Sequence, residues 1–390
     1  MNEIIIDIIK NDNIKNLRTF IKNHWNEITY DKELFKAAIK NNNLKTIKIL
    51  YELFINNQNI SCILSEIVLL LTKYEKYEIL KYVFMNYIYD NNFILNFLLY
   101  YKNNTPLSQL KLYDIIHKEK SKVNLYIEDE NGDIPLIISC ENGNEKIVNF
   151  LVDNGADVNK GNRDGYTPLI SACMNDHETI VKILINHGAI LNYENENYYT
   201  PLIAACENGN ENIVRYLIKN NADINKEENQ DGITPLIIAC ENGYENIVKY
   251  LIDQGADVNK ADKNGNTPLM IICENGYEGM IKYLIEHKVD MDKEETQFGN
   301  TPLILACKYN NETIVKELVD HGADVNKTDI LGNTPLIYAC KEENIAIVQY
   351  LINHGADINK ENIDGITPLK IVHETRNDII LQILIENNAM

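Results

Sequence analysis

Cysteine is scarce in this chain: eight in 390 residues, with no CxxC pair among them. That excludes a disulfide-rich secreted scaffold. Basic residues are short too, with 37 Lys and Arg against 57 Asp and Glu and a formal charge of −20. A field of that sign repels phosphate and argues against binding nucleic acid or docking on acidic membranes. Long apolar runs are missing. The longest, Ile60 to Leu71, is interrupted by Ser61, Ser65 and Glu66 and is too short and polar to span a bilayer. The stretch Met1 to Lys10 holds Glu3 and Asp7 and has no basic start, so no signal peptide is expected. The motifs GxSxG, HExxH, GxGxxG and GxxxxGK followed by Ser or Thr do not occur, which removes the common hydrolase, zinc-protease and nucleotide signatures. These absences describe an intracellular chain, cytoplasmic or nuclear.

Proline is also sparse, and its placement decides the architecture. Eight of the nine prolines are Pro135, Pro168, Pro201, Pro235, Pro268, Pro302, Pro335 and Pro368, separated by 33, 33, 34, 33, 34, 33 and 33 residues. Seven cysteines keep the same beat: Cys140, Cys173, Cys206, Cys240, Cys273, Cys307 and Cys340. A fixed period of this length marks a repeat array, in which each unit buries its apolar face against its neighbours.

The unit at 229–261 shows the grammar. Asp231-Gly232 signals a turn. Thr234-Pro235 opens a helix, the hydroxyl capping free N–H groups and the ring fitting the first helical position. Leu236, Ile237, Ile238, Ala239 and Cys240 follow, and Asn242-Gly243 ends that helix. Ile247, Val248, Leu251 and Ile252 then recur at helical spacing until Gly255, a left-handed cap. Ala256 to Asn259 lead into the next unit.

This run, Asp-Gly-Ile-Thr-Pro-Leu followed by Ala239, Gly243, Ile247-Val248, Leu251 and Gly255-Ala-Asp-Val-Asn259, resembles the ankyrin repeat. Units fall at 129–161, 162–194, 195–228, 229–261, 262–295, 296–328, 329–361 and a capping 362–390. The resemblance implies an all-α solenoid of stacked antiparallel helix pairs with short β-hairpin fingers, non-enzymatic, without cofactor or metal. It implies a monomer that binds a partner protein through its concave face and fingers. Departures exist. Ile, Met270 or Lys370 replaces the family's His after Thr-Pro-Leu, so apolar packing is expected in place of a polar bridge. Asn221 and Lys288 replace cap glycines, and a lysine suits the left-handed region poorly. In this family the Asn at Asn159, Asn225, Asn259, Asn326 and Asn359 can be hydroxylated; the alternative is that it hydrogen-bonds the finger turn.

Residues 1–128 lack the motif but echo its spacing in about four degenerate units, with anchors near Asp12, Asn42, Glu75 and Leu110. Residues 1–127 hold 17 Lys and Arg against 13 Asp and Glu, whereas the remainder holds 20 against 44. The segment also holds Trp25 and an aromatic cluster including Tyr87, Phe97 and Tyr100. It reads either as a divergent cap or as a second docking surface. The latter would suit a regulatory subunit, inhibitory or targeting, of a larger enzyme complex.

Chemistry on the repeats is weighed against packing. Equivalent positions in stacked helices lie roughly 8–10 Å apart, whereas a disulfide needs Cα atoms about 4.4–6.8 Å apart. The file of cysteines is therefore expected to be buried and inert. His187, His287, His321 and His354 stand at helix C-termini, where they suit capping. Binding must use positions that vary. Tyr193, Tyr198 and Tyr199 fall on one finger, Phe298 on another, Ile330 and Leu331 on a third and Ile363 on a fourth; aromatic and apolar groups at such tips suit a binding hot spot. Glu227-Glu228 and Glu294-Glu295 sit at the two 34-residue units and read as a solvated acidic rim. Such a rim steers a partner whose surface is basic or mixed.

Overall fold

The computed structural model describes residues 2–11, 13–24, 27–28, 31–54, 70–71, 125–126, 128–129, 131–193, 199–227 and 231–389. The chain divides into two compact units, Met1–Ala189 and Ile190–Met390. Trp25, the aromatic cluster near Tyr87 and the anchors at Asp12, Glu75 and Leu110 lie outside the described residues.

In the first unit α1 (Asn2–Lys10), α2 (Ile14–His24), α3 (Lys32–Lys40) and α4 (Leu44–Phe54) form two antiparallel pairs, α1 packing on α2 and α3, and α3 on α4. Ile5, Ile9, Leu34, Phe35, Ala38 and Ile39 are buried between them. Asn42 turns α3 into α4 at φ 55°, the left-handed conformation that Gly143 takes at φ 70°. Further along are α5 (Pro135–Glu141), α6 (Glu145–Asp153), α7 (Pro168–Met174) and α8 (Glu178–Asn186), with α5 on α7 and α6 on α8.

The second unit continues the same grammar. Its first helices are α9 (Pro201–Glu207), α11 (Pro235–Glu241), α13 (Pro268–Asn275), α15 (Pro302–Lys308), α17 (Pro335–Lys341) and α19 (Pro368–Thr375). Its second helices are α10 (Glu211–Lys219), α12 (Glu245–Asp253), α14 (Glu278–Glu286), α16 (Glu312–Asp320), α18 (Ile345–Asn353) and α20 (Asp378–Glu386). First helices pack in file on first helices, and second on second.

A helix of seven residues is too short to persist alone in water. Burial and capping hold it. Thr200, Thr234, Thr267, Thr301, Thr334 and Thr367 each accept a hydrogen bond from the N–H three residues on. Proline follows at the first position, where no N–H is needed. Leu236, Ile237, Ala239 and Cys240 are then fully sealed, and so are their counterparts in neighbouring repeats. The apolar residue in the family's His position is thus core. Part of the polar bridging moves seven residues on. The Tyr277 hydroxyl donates to the Glu241 carbonyl at 3.3 Å, and Asn311 Nδ2 to the Cys273 carbonyl at 2.6 Å. Tyr277 lies over Gly243, where an added Cβ would come within 2.9 Å of its ring.

Second helices end in a left-handed residue. Lys288 (φ 60°) and Asn221 (φ 69°) adopt it just as Gly255 does at φ 93°, so the lysine cap forms despite its cost. The histidines beside these caps bond backward: Nδ1 of His187, His287, His321 and His354 lies 2.7–2.8 Å from the carbonyl four residues earlier. The asparagines tie repeat to repeat. Asn326 Oδ1 accepts from Asp357 N at 2.7 Å while its Nδ2 donates to the Gly355 carbonyl at 3.0 Å; Asn259 does the same with Asp290 and Lys288. Both amide ends are engaged by backbone groups just past the next repeat's second helix, not by the asparagine's own finger turn.

Among the described residues a finger is a tight turn closed by one backbone pair rather than a long two-stranded ladder. Asp329 N donates to Asn333 O, and Gly332 N back to Asp329 O. Neighbouring fingers are stitched edge to edge: Lys263 N to Asp231 O, Thr296 N to Asn264 O, Ile330 N to Phe298 O, and Ile363 N to Leu331 O, all at 2.8–2.9 Å.

Candidate protein-interaction surface

That stitching sets out the tips of the second unit in a row. Phe298, Ile330, Leu331 and Ile363 come from three consecutive fingers and are 50%, 60%, 45% and 68% exposed. Ile330 Cγ2 sits against Gly299, whose added Cβ would approach it to 3.1 Å and whose φ is 69°. The glycine is therefore required both for its turn and for the close approach of the next finger. Large apolar groups held in water by a rigid backbone are a feature of binding sites rather than of cores.

Two predicted residues are not at the surface. Tyr199 is only 8% exposed; it folds inward, and its hydroxyl donates to the Glu207 carboxylate. It stands just before the capping Thr200, a place that is buried or half-buried in every repeat described here. Glu295 is 7% exposed and is no part of a solvated rim. Its Oε1 accepts from Phe298 N at 2.7 Å, Asn300 N at 3.2 Å and Asn300 Nδ2 at 3.1 Å, and its Oε2 from Gln297 N at 2.6 Å. Asp129, Asn162, Asp329 and Asn362 close their own fingers in this way, each reaching the N–H four residues on. This finger has one residue more, and glutamate supplies the extra methylene that spans it.

Glu227 and Glu294 do lie at the surface, yet each holds a lysine at 2.7 Å, Lys260 and Lys327 respectively. Exposed pairs of this kind add little stability. The hydrogen bond from Lys327 to Glu294 raises the lysine pKa. Tyr193 is half-buried. Tyr198 and Glu228 lie outside the described residues.

A second acidic feature escaped the sequence reading. Glu207, Glu241 and Glu274 occupy one position of three successive repeats, each directly after the periodic cysteine, and all three are exposed. Burial of its inner part, then the charges of Asp262 and Glu207, push the Glu241 carboxyl above its ordinary value. Tyr309 closes this row with a 2.5 Å hydrogen bond to Glu274. At the same position the next two repeats carry Lys308 and Lys341, so the sign reverses along the row. The signal was available as the residue following each cysteine.

The cysteines Cys140 to Cys340 are buried. Burial pushes the Cys206, Cys240, Cys273 and Cys307 thiols far above their ordinary range, and Cys340 to about 12. A thiol in that state is not a nucleophile. Among the described residues no group of three or more His, Cys, Asp and Glu is placed to hold a metal ion, and no helix is long and apolar enough to cross a membrane. A depression of about 360 Å³ beside Tyr244 is edged by Glu211 and Glu245, which are paired to Arg215 and Lys249.

Comparison with known proteins accords with this geometry. A family model described as ankyrin repeats (3 copies) matches residues 5–195, 188–262 and 257–329, and one described as ankyrin repeats (many copies) matches residues 318–372. The chain belongs to the ankyrin repeat family. The first match begins at residue 5, within the segment that lacks the Thr-Pro motif. Among solved structures, the crystal structure of the human ASB11 ankyrin repeat domain is similar, with a TM-score of 0.51 and 27% identity over 58% of this chain and 99% of that one. No curated protein matches. Ankyrin repeats are generally protein–protein interaction modules and typically non-catalytic.

Proposed function

We propose that this ankyrin repeat protein is a non-enzymatic module that binds a partner protein across the finger tips and the exposed side of the first helices of its second unit. The observation that carries the reading is the row Phe298, Ile330, Leu331 and Ile363, exposed on fingers that are hydrogen-bonded to one another. Rigid presentation lowers the entropy cost of binding. The partner surface is basic or mixed. It meets apolar tips, the carboxylates of Glu207, Glu241 and Glu274, and then Lys308 and Lys341. Complementary charge of this kind sets register and encounter rate more than affinity.

Affinity capture from the source cells with the intact chain and with a Phe298→Ser, Ile330→Ser, Leu331→Ser, Ile363→Ser variant tests the reading. All four side chains are exposed, so circular dichroism should show equal helix content. A protein held by the parent and lost by the variant supports the finger-tip site. Identical captured sets overturn it.

A further inference from the structure

The face that carries the finger tips is a groove whose two halves differ in chemistry. Its floor is the fourth residue after each capping threonine: Ile238, Ile271 and Leu305 are 6–7% exposed where Ile237 and Ile304 are sealed, and Tyr338 is half-buried. The fingers form one rim, and the residue after each periodic cysteine forms the other. Contacts across the floor show that both rims look to the same side. The Tyr338 hydroxyl donates to Asp329 Oδ2 of its own finger at 2.7 Å, the Tyr199 hydroxyl to Glu207, and the charge of Asp262 on one finger bears on Glu241 of the repeat before. Over the first half, Glu207, Asp231, Glu241, Asp262 and Glu274 stand against Lys263 on the described fingers and first helices. Among the described residues Glu207, Glu241 and Glu274 hold no Lys or Arg, whereas Glu178, Glu211, Glu245 and Glu312 on second helices each hold one. Over the second half, Phe298, Ile330, Leu331 and Ile363 form the tips. There Lys308 and Lys341 are matched by Glu342 and Glu343, and the two cations beyond Ile363 by Asp364 and Glu374, so this half is neutral.

We infer that this groove takes an extended segment of a partner protein built in two parts, with Lys or Arg along one and large apolar residues along the other, each recurring every third residue. The inference rests on the finger-tip reading above and adds the partner's form and sequence pattern. Charge complementarity places the cations along Glu207, Glu241 and Glu274 and the apolar part along the tips. The repeat sets the spacing. Packed helices lie about 8–10 Å apart. An extended chain of the polyproline type advances about 9.3 Å in one three-residue turn and returns each third side chain to the same face. Such a segment offers one equivalent side chain to each repeat. A helix advances about 9 Å in six residues and has then turned through about 600°, so its sixth residue has left the face. Glu274 and Phe298 belong to consecutive repeats, so the two parts of the segment adjoin without a spacer.

The test measures fluorescence anisotropy of labelled peptides of about 18 residues, six turns of such a segment, with the full chain. One peptide carries Lys at every third residue of its first half and Leu at every third of its second. Another reverses the halves, and small polar residues fill the gaps in both. Two controls keep the composition, one with Lys and Leu interleaved along the chain and one respaced to every fourth residue. At least one of the two orders is expected to bind, at least about tenfold more tightly than either control. The Glu207→Gln, Glu241→Gln, Glu274→Gln variant should weaken it by at least about threefold and remove most of its salt dependence. The Phe298→Ser, Ile330→Ser, Leu331→Ser, Ile363→Ser variant should weaken it by at least about tenfold. All these positions are exposed, and circular dichroism verifies the fold of each variant. A control that binds as well as its parent, indifference to either variant, or no binding of either order would each overturn the inference. Each of these results leaves the finger-tip reading standing so long as a captured partner is still lost with the tip variant.

Discussion

Shortening Glu295 by one methylene probes the tip geometry most sharply. In Glu295→Asp the carboxylate can no longer reach across a closure five residues long, where its Oε1 now accepts from Asn300 N and Nδ2. The contacts to Gln297 N and Phe298 N are nearer and partly retained. Hydrogen bonds to a charged acceptor are worth about 1.5–3 kcal/mol each, and two are lost in a buried setting, so the expected cost is about 3–6 kcal/mol. The change carries its own control. Deleting exposed Gln297 in the Glu295→Asp background restores the four-residue closure used by Asp329 and Asn333. Most of the loss should return, to within about 1 kcal/mol. Repeat arrays need not unfold in one step. Urea unfolding by circular dichroism is therefore paired with hydrogen exchange at the Asn300 amide, which should quicken in the single variant and recover in the deletion. A loss under about 0.5 kcal/mol, the ordinary scatter of surface changes, would refute the reasoning. So would a deletion that adds to the damage.

Other outcomes follow from the same structure. Lys288→Gly relieves a left-handed lysine and should gain about 1 kcal/mol in chemical denaturation; a loss contradicts the cap geometry. Glu241→Gln should raise the melting temperature at pH 7. A carboxyl whose folded pKa is raised opposes folding while ionised, and this penalty disappears as pH falls through that pKa and below the unfolded value. The gain should therefore vanish in acid, and the part due to Asp262 and Glu207 should shrink in high salt; an unchanged difference at low pH counts against a Glu241 carboxyl raised by burial and by those two charges. Cys206, Cys240, Cys273 and Cys307 should resist an aromatic disulfide reagent at pH 8 in the native chain and react on denaturation; rapid native labelling of Cys206 contradicts its burial.

Much of this was legible in the sequence because repetition averages out local ambiguity. Thr234-Pro235, Gly243 and Gly255 mark helix ends at positions the structure reproduces in each repeat described. The tips Phe298, Ile330, Leu331 and Ile363 were legible because their turns leave no core for them to enter. Tyr199 was misread because a tyrosine near a finger was weighed alone. Compared with its counterparts Asp133, Tyr166, Asn266 and Asn300, all buried or half-buried, it belongs to an inward column. Glu295 was misread for a related reason. Beside Glu294 it resembled a pair of surface acids, whereas its counterparts Asp129, Asn162, Asp329 and Asn362 are all turn-closing acceptors.

The central claim is that the second unit's finger tips are the partner's seat. Hydrogen exchange of the chain, free and saturated with a captured partner, tests it most directly. The account predicts slowed exchange at the amides of residues 296–300, 330–333 and 363–366, with the second helices unchanged. Protection confined to the second helices or to residues 1–128, with those fingers exchanging as in the free chain, would contradict it.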